Sequence, residues 1–157
     1  MSPGAWIAIA AVVVAVAFGS YRALTDGRFR GTHKVRDTAT PPVERGAPVV
    51  ELVETPWARV TAAIPDATLG EKATLLQFSS AFCAPCRATR RTLTAVAEVV
   101  PGVEHLEVDA EHHLDLVRAL GVMRTPTTLV LDASGREVTR ATGAPRKEQV
   151  LAALAQS

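Results

Sequence analysis

The sequence predicts an α/β domain with a mixed central sheet and helices on both faces, preceded by one N-terminal transmembrane helix. Three features predict this organisation: a continuous apolar segment near the N-terminus, a stretch rich in Thr, Pro and charge after it, and alternating strand and helix patterns in the remainder. The chain has 157 residues, which is enough for one ordinary domain beyond such a segment.

Composition excludes several function classes. Apolar residues make up 48% of the chain, so a packed core is available and wholesale disorder is not expected. The 17 basic and 16 acidic side chains nearly cancel and aromatic residues make up only 4%, which argues against nucleic-acid binding. Both cysteines lie in one short motif, which excludes a secreted scaffold held by several disulfides.

Residues 1–24 are predicted to anchor the chain in a membrane. The apolar run Ala5–Phe18 and its tolerated neighbours make about 18 residues, or about 27 Å of helix, which matches the hydrocarbon core. Trp6 and Tyr21 bracket this run at interface positions. A cleaved signal peptide is the alternative, because Ala15–Ala17 is an A-x-A triplet, although basic residues do not precede the apolar run.

Residues 25–48 are predicted to be a tether, basic at first and then rich in Pro and Thr. The basic flank extends from Arg22 to Arg36 and follows the apolar span. By the positive-inside rule this flank predicts a domain that faces the cytoplasm rather than the extracytoplasmic side. The tether is expected to be extended around Pro41-Pro42.

Residues 49–157 carry the patterns of one globular domain. Apolar runs or period-two alternation predict strands at Val49–Val53, Thr74–Phe78, Val103–Val108, Thr127–Leu131 and Glu137–Thr142, the last two joined as a hairpin by the turn at Asp132–Gly135. Apolar residues at helical spacing predict four helices: Trp57 to Ile64 after Pro56, Thr89–Val100 before Pro101-Gly102, Leu114, Val117 and Leu120 before Gly121, and a last helix opened by Pro145.

The motif that carries chemistry is Cys83-Ala84-Pro85-Cys86, at the junction of a predicted strand and helix. The spacing brings both sulfurs within disulfide reach in one helical turn. The first sulfur lies at the helix N-terminus, where free N–H groups and the macrodipole stabilise a thiolate. Pro85 suits the first turn, where a missing N–H costs little. Three arginines add nearby positive charge or form a solvated helix face: Arg87, Arg90 and Arg91.

Two other interpretations of this motif stay open. A C-x-x-C is also half of a zinc site, whose remaining ligands would come from an acid or from His105, His112 or His113. Adjacent histidines diverge by about 100° on a helix, and the sequence has no second C-x-x-C. Alternatively, both cysteines are inert core residues.

A second element supports redox chemistry. Thr125-Pro126 directly precedes a predicted strand, about 40 residues after the C-x-x-C. A cis X-Pro loop placed against the motif would present a backbone edge to a substrate peptide beside the sulfurs.

These residues together resemble the thioredoxin-like family. The resemblance covers Ala73 to Ala155 and rests on LLQFSSAF leading into CAPCR, then HLEVDAE, then VMRTPT, then the hairpin around Ser134-Gly135 and Gly143. It implies a thioredoxin-like fold, with Cys83 as the nucleophilic cysteine and Cys86 as the resolving one. It also implies that Pro126 is the family's cis-proline, and that Thr125, Ala84, Pro85 and Arg87 support the site.

The sequence departs from the family pattern near this motif. Phe82, Ala84 and Arg87 stand where Trp, Gly and Lys are usual. Gln77 replaces the buried aspartate that commonly accepts a proton beneath the second cysteine, and His105 replaces a lysine on the neighbouring strand. A neutral imidazole is able to do this proton transfer. Otherwise His105 is only a hydrogen-bonded partner of Gln77.

The predicted function is thiol–disulfide exchange with protein disulfides, in the direction of reduction. The domain is expected to need no bound cofactor. Its expected partners are protein thiols and disulfides, together with a soluble reductase system or a membrane thiol carrier as electron donor. The alternatives are a client-binding module whose disulfide is static and a zinc-binding domain. Because tethered thioredoxin domains often work outside the membrane, the extracytoplasmic location stays open beside the cytoplasmic one.

Overall fold

The structure is a computed structural model that describes residues 3–25, 29–31 and 55–157. Its helices are α1 (Pro3–Thr25), α2 (Pro56–Ala63), α3 (Ala84–Ala97), α4 (Leu114–Ala119) and α5 (Lys147–Leu154). Its strands are β1 (Phe29–Gly31), β2 (Ala73–Ser79), β3 (Val103–Asp109), β4 (Thr127–Asp132) and β5 (Glu137–Thr142). The predicted strand at Val49–Val53 lies outside the described residues.

Helix α1 contains the predicted membrane segment. Its stretch Gly4–Arg22 has a mean hydropathy of 2.0, and this stretch is long and apolar enough to cross a membrane. The side chains of this stretch are not buried against the rest of the described protein. Length, composition and exposure therefore agree with a helix whose apolar surface is covered by something other than the domain.

The central sheet has the order β1-β5-β4-β2-β3. Strands β2 and β3 are parallel, whereas β2–β4, β4–β5 and β1–β5 are antiparallel, so the sheet is mixed as predicted. All seven residues of β2 are buried. Strands β3 and β4 flank its two edges, and helices cover both faces of the sheet. Helix α3 connects β2 to β3, as a parallel pair requires a crossover between its strands.

Two hydrophobic clusters place helices on both faces of the sheet. One cluster lies under α2 and α4 and contains Val60, Leu76, Phe78, Val108, Leu116, Leu120, Val122, Leu129 and Leu131. The other lies under α3 and α5 and contains Ala73, Leu75, Leu93, Val96, Val103, Val130, Val150 and Ala153. The period-two alternation of the central strands therefore supplies both cores, and the predicted layering is confirmed.

Strand β1 lies within the segment predicted to be a tether. Its three residues pair antiparallel with β5, with Phe29 opposite Ala141 and Gly31 opposite Thr139. The sheet therefore has five strands in the described part of the chain, and the sequence patterns predicted four of these, β2 to β5.

Two helix details differ from the sequence-based expectation. Leu114 is about half exposed, and Leu116 is buried instead, because Leu116 and Leu120 share the face that packs on the sheet. The last helix begins at Lys147 with Arg146 as its N-cap, two residues beyond Pro145. Gly121 has a positive φ of 61°, as expected for a residue that ends a helix.

Candidate active site

The two cysteines lie at the N-terminus of α3 and are joined by a disulfide, with their Cα atoms 5.2 Å apart. Cys83 is the N-cap residue, and its Sγ accepts a hydrogen bond of 3.1 Å from the backbone N–H of Cys86. Pro85 lies in the first turn. The N-cap position directs free backbone N–H groups and the positive end of the helix dipole at the Cys83 sulfur.

The two sulfurs differ in their access to solvent. Cys86 is only 2% exposed, whereas Cys83 is half-buried and follows Phe82, which is 98% exposed. A substrate disulfide can therefore reach Cys83 from solvent but not Cys86. The arrangement is able to support attack by the outer sulfur and resolution by the inner one.

The loop before β4 lies against the cysteine loop. The Thr125–Pro126 peptide bond is cis, and Pro126 is buried. The hydroxyl of Ser80, in the loop that leads to Cys83, lies 3.2 Å from the hydroxyl of Thr125. The carbonyl of Pro126 accepts a hydrogen bond of 2.8 Å from the backbone N–H of Gly143. The structure thus brings together the C-x-x-C and the Thr-Pro pair that the sequence predicted to be neighbours.

A buried polar network lies beneath Cys86. Gln77 is fully buried, and its Nε2 donates to the Cys86 carbonyl at 3.0 Å and to the Ser79 hydroxyl at 2.7 Å. Ser79 donates in turn to Oε1 of Glu107 at 2.6 Å. Gln77 therefore links the backbone of the inner cysteine to a carboxylate on the neighbouring strand.

His105 occupies the other side of Gln77. Its Nε2 lies 3.2 Å from Oε1 of Gln77, and its Nδ1 lies 3.1 Å from the Thr94 hydroxyl. Since Oε1 of Gln77 only accepts, Nε2 carries the hydrogen and Nδ1 accepts from Thr94. Burial lowers the pKa of His105 below its usual 6.5; the charge of Glu107 opposes this shift and the charge of Arg90 adds to it. The imidazole is therefore neutral near pH 7.

Glu107 is a site residue that the sequence analysis did not identify. Together with Cys86, Ser79 and Arg90 it lines a cavity of about 350 Å³ beside the inner cysteine. Its Oε2 lies 3.2 Å from Nη1 of Arg90, and its side chain is 29% exposed. The signal for it is the parallel register, which pairs Gln77 with Glu107 directly.

The remaining residues from the sequence analysis lie around this centre. Arg87 lines the same cavity, and Ala84, Pro85 and Arg91 are exposed. The Nδ1 of His112 lies 2.9 Å from Oδ2 of Asp109. In the described ranges, no group of three His, Cys, Asp or Glu side chains is arranged to hold a metal ion.

Comparison with known proteins assigns the family. The profile of the thioredoxin-like domain matches residues 60–157, and the chain belongs to this family. Thioredoxin H4-1 from Oryza sativa subsp. japonica is 30% identical over 96 residues, which cover 60% of this chain and 72% of the relative. A thioredoxin from Alicyclobacillus acidocaldarius subsp. acidocaldarius is 33% identical over 87 residues, which cover 55% of this chain and 82% of the relative.

Solved structures agree with this assignment. Thioredoxin f from spinach chloroplast has a TM-score of 0.50 and 28% identity, covering 63% of this chain and 82% of that chain. The thioredoxin NaTrxh from Nicotiana alata has a TM-score of 0.51 and 24% identity, covering 64% and 84%. The thioredoxin-like fold and the C-x-x-C disulfide together identify the chain as a thiol–disulfide oxidoreductase.

The lowered pKa of His105 predicts a pH-dependent stability. Because the folded pKa lies below 6.5, the unfolded chain binds more protons in the interval between them. The free energy of unfolding should therefore fall as the pH falls from about 6.5 towards the folded pKa. Urea unfolding of the full chain in a mild detergent, between about pH 5 and 8, measures this change. His105→Gln keeps hydrogen-bonding groups without titrating, so parallel curves for wild type and variant would contradict the assignment.

Proposed function

We propose that the protein is a membrane-tethered reductase of protein disulfides that works through Cys83 and Cys86. The observation that carries this proposal is the disulfide at the N-terminus of α3, with a partly exposed outer sulfur and an inner sulfur screened from solvent. The loop that contains the cis Thr125–Pro126 bond contacts the cysteine loop through Ser80 and Thr125. The membrane anchor is α1, whose apolar stretch is long enough to span the bilayer. The electron donor would be another dithiol, either a soluble reductase system or a membrane thiol carrier.

The proposed reaction is two successive thiol–disulfide exchanges. The Cys83 thiolate attacks one sulfur of the client disulfide, a mixed disulfide forms, and the other client sulfur leaves as a thiolate. Cys86 then loses its proton and attacks the Cys83 sulfur, which restores the Cys83–Cys86 disulfide and releases the second client thiol. The client gains two electrons and two protons, and the Cys83–Cys86 dithiol loses the same number of each.

Glu107 is proposed as the acceptor of the Cys86 proton. The sequence analysis gave His105, together with Gln77, as a possible acceptor and left open that His105 is only a hydrogen-bonded partner of Gln77. An amide cannot take a proton from a thiol. The acceptor nitrogen of His105 already accepts a hydrogen bond from the Thr94 hydroxyl. His105 also lines a different surface pocket from the one that Cys86 lines. The Glu107 carboxylate instead shares a cavity with Cys86, where one water is able to connect them.

The cysteine roles predict an asymmetric trapping result. Cys86→Ser should accumulate mixed disulfides with client proteins, because the resolving thiol is missing, whereas Cys83→Ser should accumulate almost none. In the reduced wild type, alkylation at about pH 6 should modify Cys83 first, since the helix N-terminus stabilises its thiolate. Non-reducing electrophoresis and mass mapping report both results. Faster labelling of Cys86 would contradict the assignment of the two roles. No mixed disulfide with Cys86→Ser would leave the disulfide as a static element of a binding module.

The proton acceptor predicts a step-specific kinetic defect. Glu107→Gln should slow resolution of the mixed disulfide by about tenfold or more near pH 7 and leave its formation nearly unchanged, because only resolution needs the Cys86 proton to leave. Rapid-quench kinetics with a fluorescent peptide disulfide separates the two steps. Glu104→Gln, on the same strand, is the matched control. A larger resolution defect in His105→Gln than in Glu107→Gln would return the role to the histidine.

The basic flank from Arg22 to Arg36 predicts that the domain faces the cytoplasm. A membrane-impermeant maleimide added to intact cells that express Ala133→Cys with Cys83→Ser and Cys86→Ser should therefore leave the exposed position 133 unlabelled until the cells are permeabilised. Labelling without permeabilisation would place the domain on the extracytoplasmic side. A cysteine introduced at position 2 serves as the control, since it should show the opposite pattern.

A further inference from the structure

The connection between the membrane helix and the sheet is short. Helix α1 ends at Thr25 and β1 begins at Phe29, so four residue steps join them. Fully extended, four steps reach about 14 Å, and the helical residues Ala23–Thr25 add about 5 Å beyond Arg22. Phe29 therefore lies within about 20 Å of Arg22, which ends the apolar stretch.

The pairing of β1 determines at which end of the sheet the chain enters. Because β1 is antiparallel to β5 and Phe29 lies opposite Ala141, the chain arrives at the end of the sheet where β5 finishes at Thr142. Thr142 in turn lies opposite Thr127, the first residue of β4, which directly follows Pro126.

The same end of the sheet carries the active site. Phe78 lies opposite Thr127, and β2 finishes one residue later at Ser79, from which the chain leads to Cys83. From β1 to β2 there are three interstrand steps of about 4.8 Å, or about 14 Å across the sheet. The other end of the sheet, at the β4–β5 turn around Ala133, is farther from the chain entry by about six residues, or about 20 Å.

The surfaces at the two ends differ in chemistry. Phe82 and Met123, on the cysteine loop and on the loop before Pro126, are 98% and 92% exposed. Arg87, in the first turn of α3, and Arg124, on the loop before Pro126, are exposed cations. Exposed apolar side chains flanked by guanidinium groups are suited to the membrane interface. There the apolar side chains contact the edge of the hydrocarbon core and the guanidinium groups contact anionic lipid headgroups. The turn at the opposite end contains Asp132, Ser134 and Arg136.

From the antiparallel register of β1 and the short connection before it, we propose that the active-site end of the domain faces the bilayer. The substrates are then disulfides of integral membrane proteins that lie close to the membrane surface. The proposal rests on the proposed function, and the two exchanges and their electron balance are the same. The pairing of β1 keeps Cys83 close to the membrane surface. Residues 32–54 come after β1 in the chain and therefore do not set the distance between Cys83 and the membrane.

The functional test compares the rates at which the full chain reduces two membrane peptides. The prereduced protein is reconstituted in phosphatidylcholine–phosphatidylglycerol vesicles with a single-span Leu/Ala peptide whose disulfide lies three residues beyond its apolar segment. A second peptide carries the disulfide about 30 flexible residues farther out. The wild type should reduce the first peptide about fivefold faster or more, because its effective concentration at Cys83 is higher.

Twenty Gly/Ser residues inserted between Thr25 and Asp26 add an average span of about 25 Å and should abolish this preference. The same insertion between Thr40 and Pro41 should leave it unchanged. Equal rates for the two peptides in the wild type, or equal effects of the two insertions, would overturn the proposed orientation.

A direct distance measurement does not depend on activity. A donor fluorophore is attached to Cys83 in Cys86→Ser and, in a second variant, to position 133 of Ala133→Cys with Cys83→Ser and Cys86→Ser. Energy transfer to an acceptor on lipid headgroups should be at least about twofold stronger from position 83, given the separation of about 20 Å between the sheet ends. Equal transfer, or stronger transfer from position 133, overturns the orientation.

Reduction of insulin by the prereduced full chain in detergent separates the two proposals. A protein that reduces insulin but treats both membrane peptides alike is a reductase without the proposed orientation. A protein that does not reduce insulin contradicts the proposed function, and the assigned substrate class with it.

Discussion

The parallel pairing of β2 with β3 is the constraint on which the site depends. Two parallel strands need a crossover, and here α3 supplies it, so α3 must begin where β2 ends. This places the N-cap residue Cys83 in solvent reach and the next turn, with Cys86, over the β2 residue Gln77. All residues of β2 are buried, and their side chains pack alternately into the two hydrophobic clusters on either side of the sheet.

The same pairing decides where a charge is tolerated. Gln77 is fully buried, and an ionised carboxylate at its position would need a paired partner to offset the loss of hydration. The neutral amide avoids this cost and satisfies the Cys86 carbonyl, the Ser79 hydroxyl and the neutral imidazole of His105. The ionisable carboxylate lies one strand away at Glu107, where partial exposure and the Arg90 guanidinium stabilise it. The amide thus lies between the backbone of Cys86 and the Glu107 carboxylate.

Most of the fold and part of the site could be predicted from the sequence because strong local patterns carried them. Strand β2 and the C-x-x-C helix follow from an apolar run and a capping position, and the contact of Gln77 with His105 follows from the period of two in parallel strands. Strand β1 could not be predicted, since three residues in a charged segment have no periodicity. Glu107 was missed as a site residue because a charged residue in an alternating strand normally indicates a solvent-facing position.

The antiparallel pairing of β1 with β5 has two physical consequences. It covers the edge of β5, which would otherwise present unpaired backbone groups to other chains. Had β1 paired in parallel, the chain would enter at the β4–β5 turn, and the cysteines would point away from the membrane helix. The antiparallel register instead joins the chain to the sheet beside Thr142, Thr127 and Pro126. The short edge strand therefore couples the position of the membrane helix to the direction in which the dithiol faces.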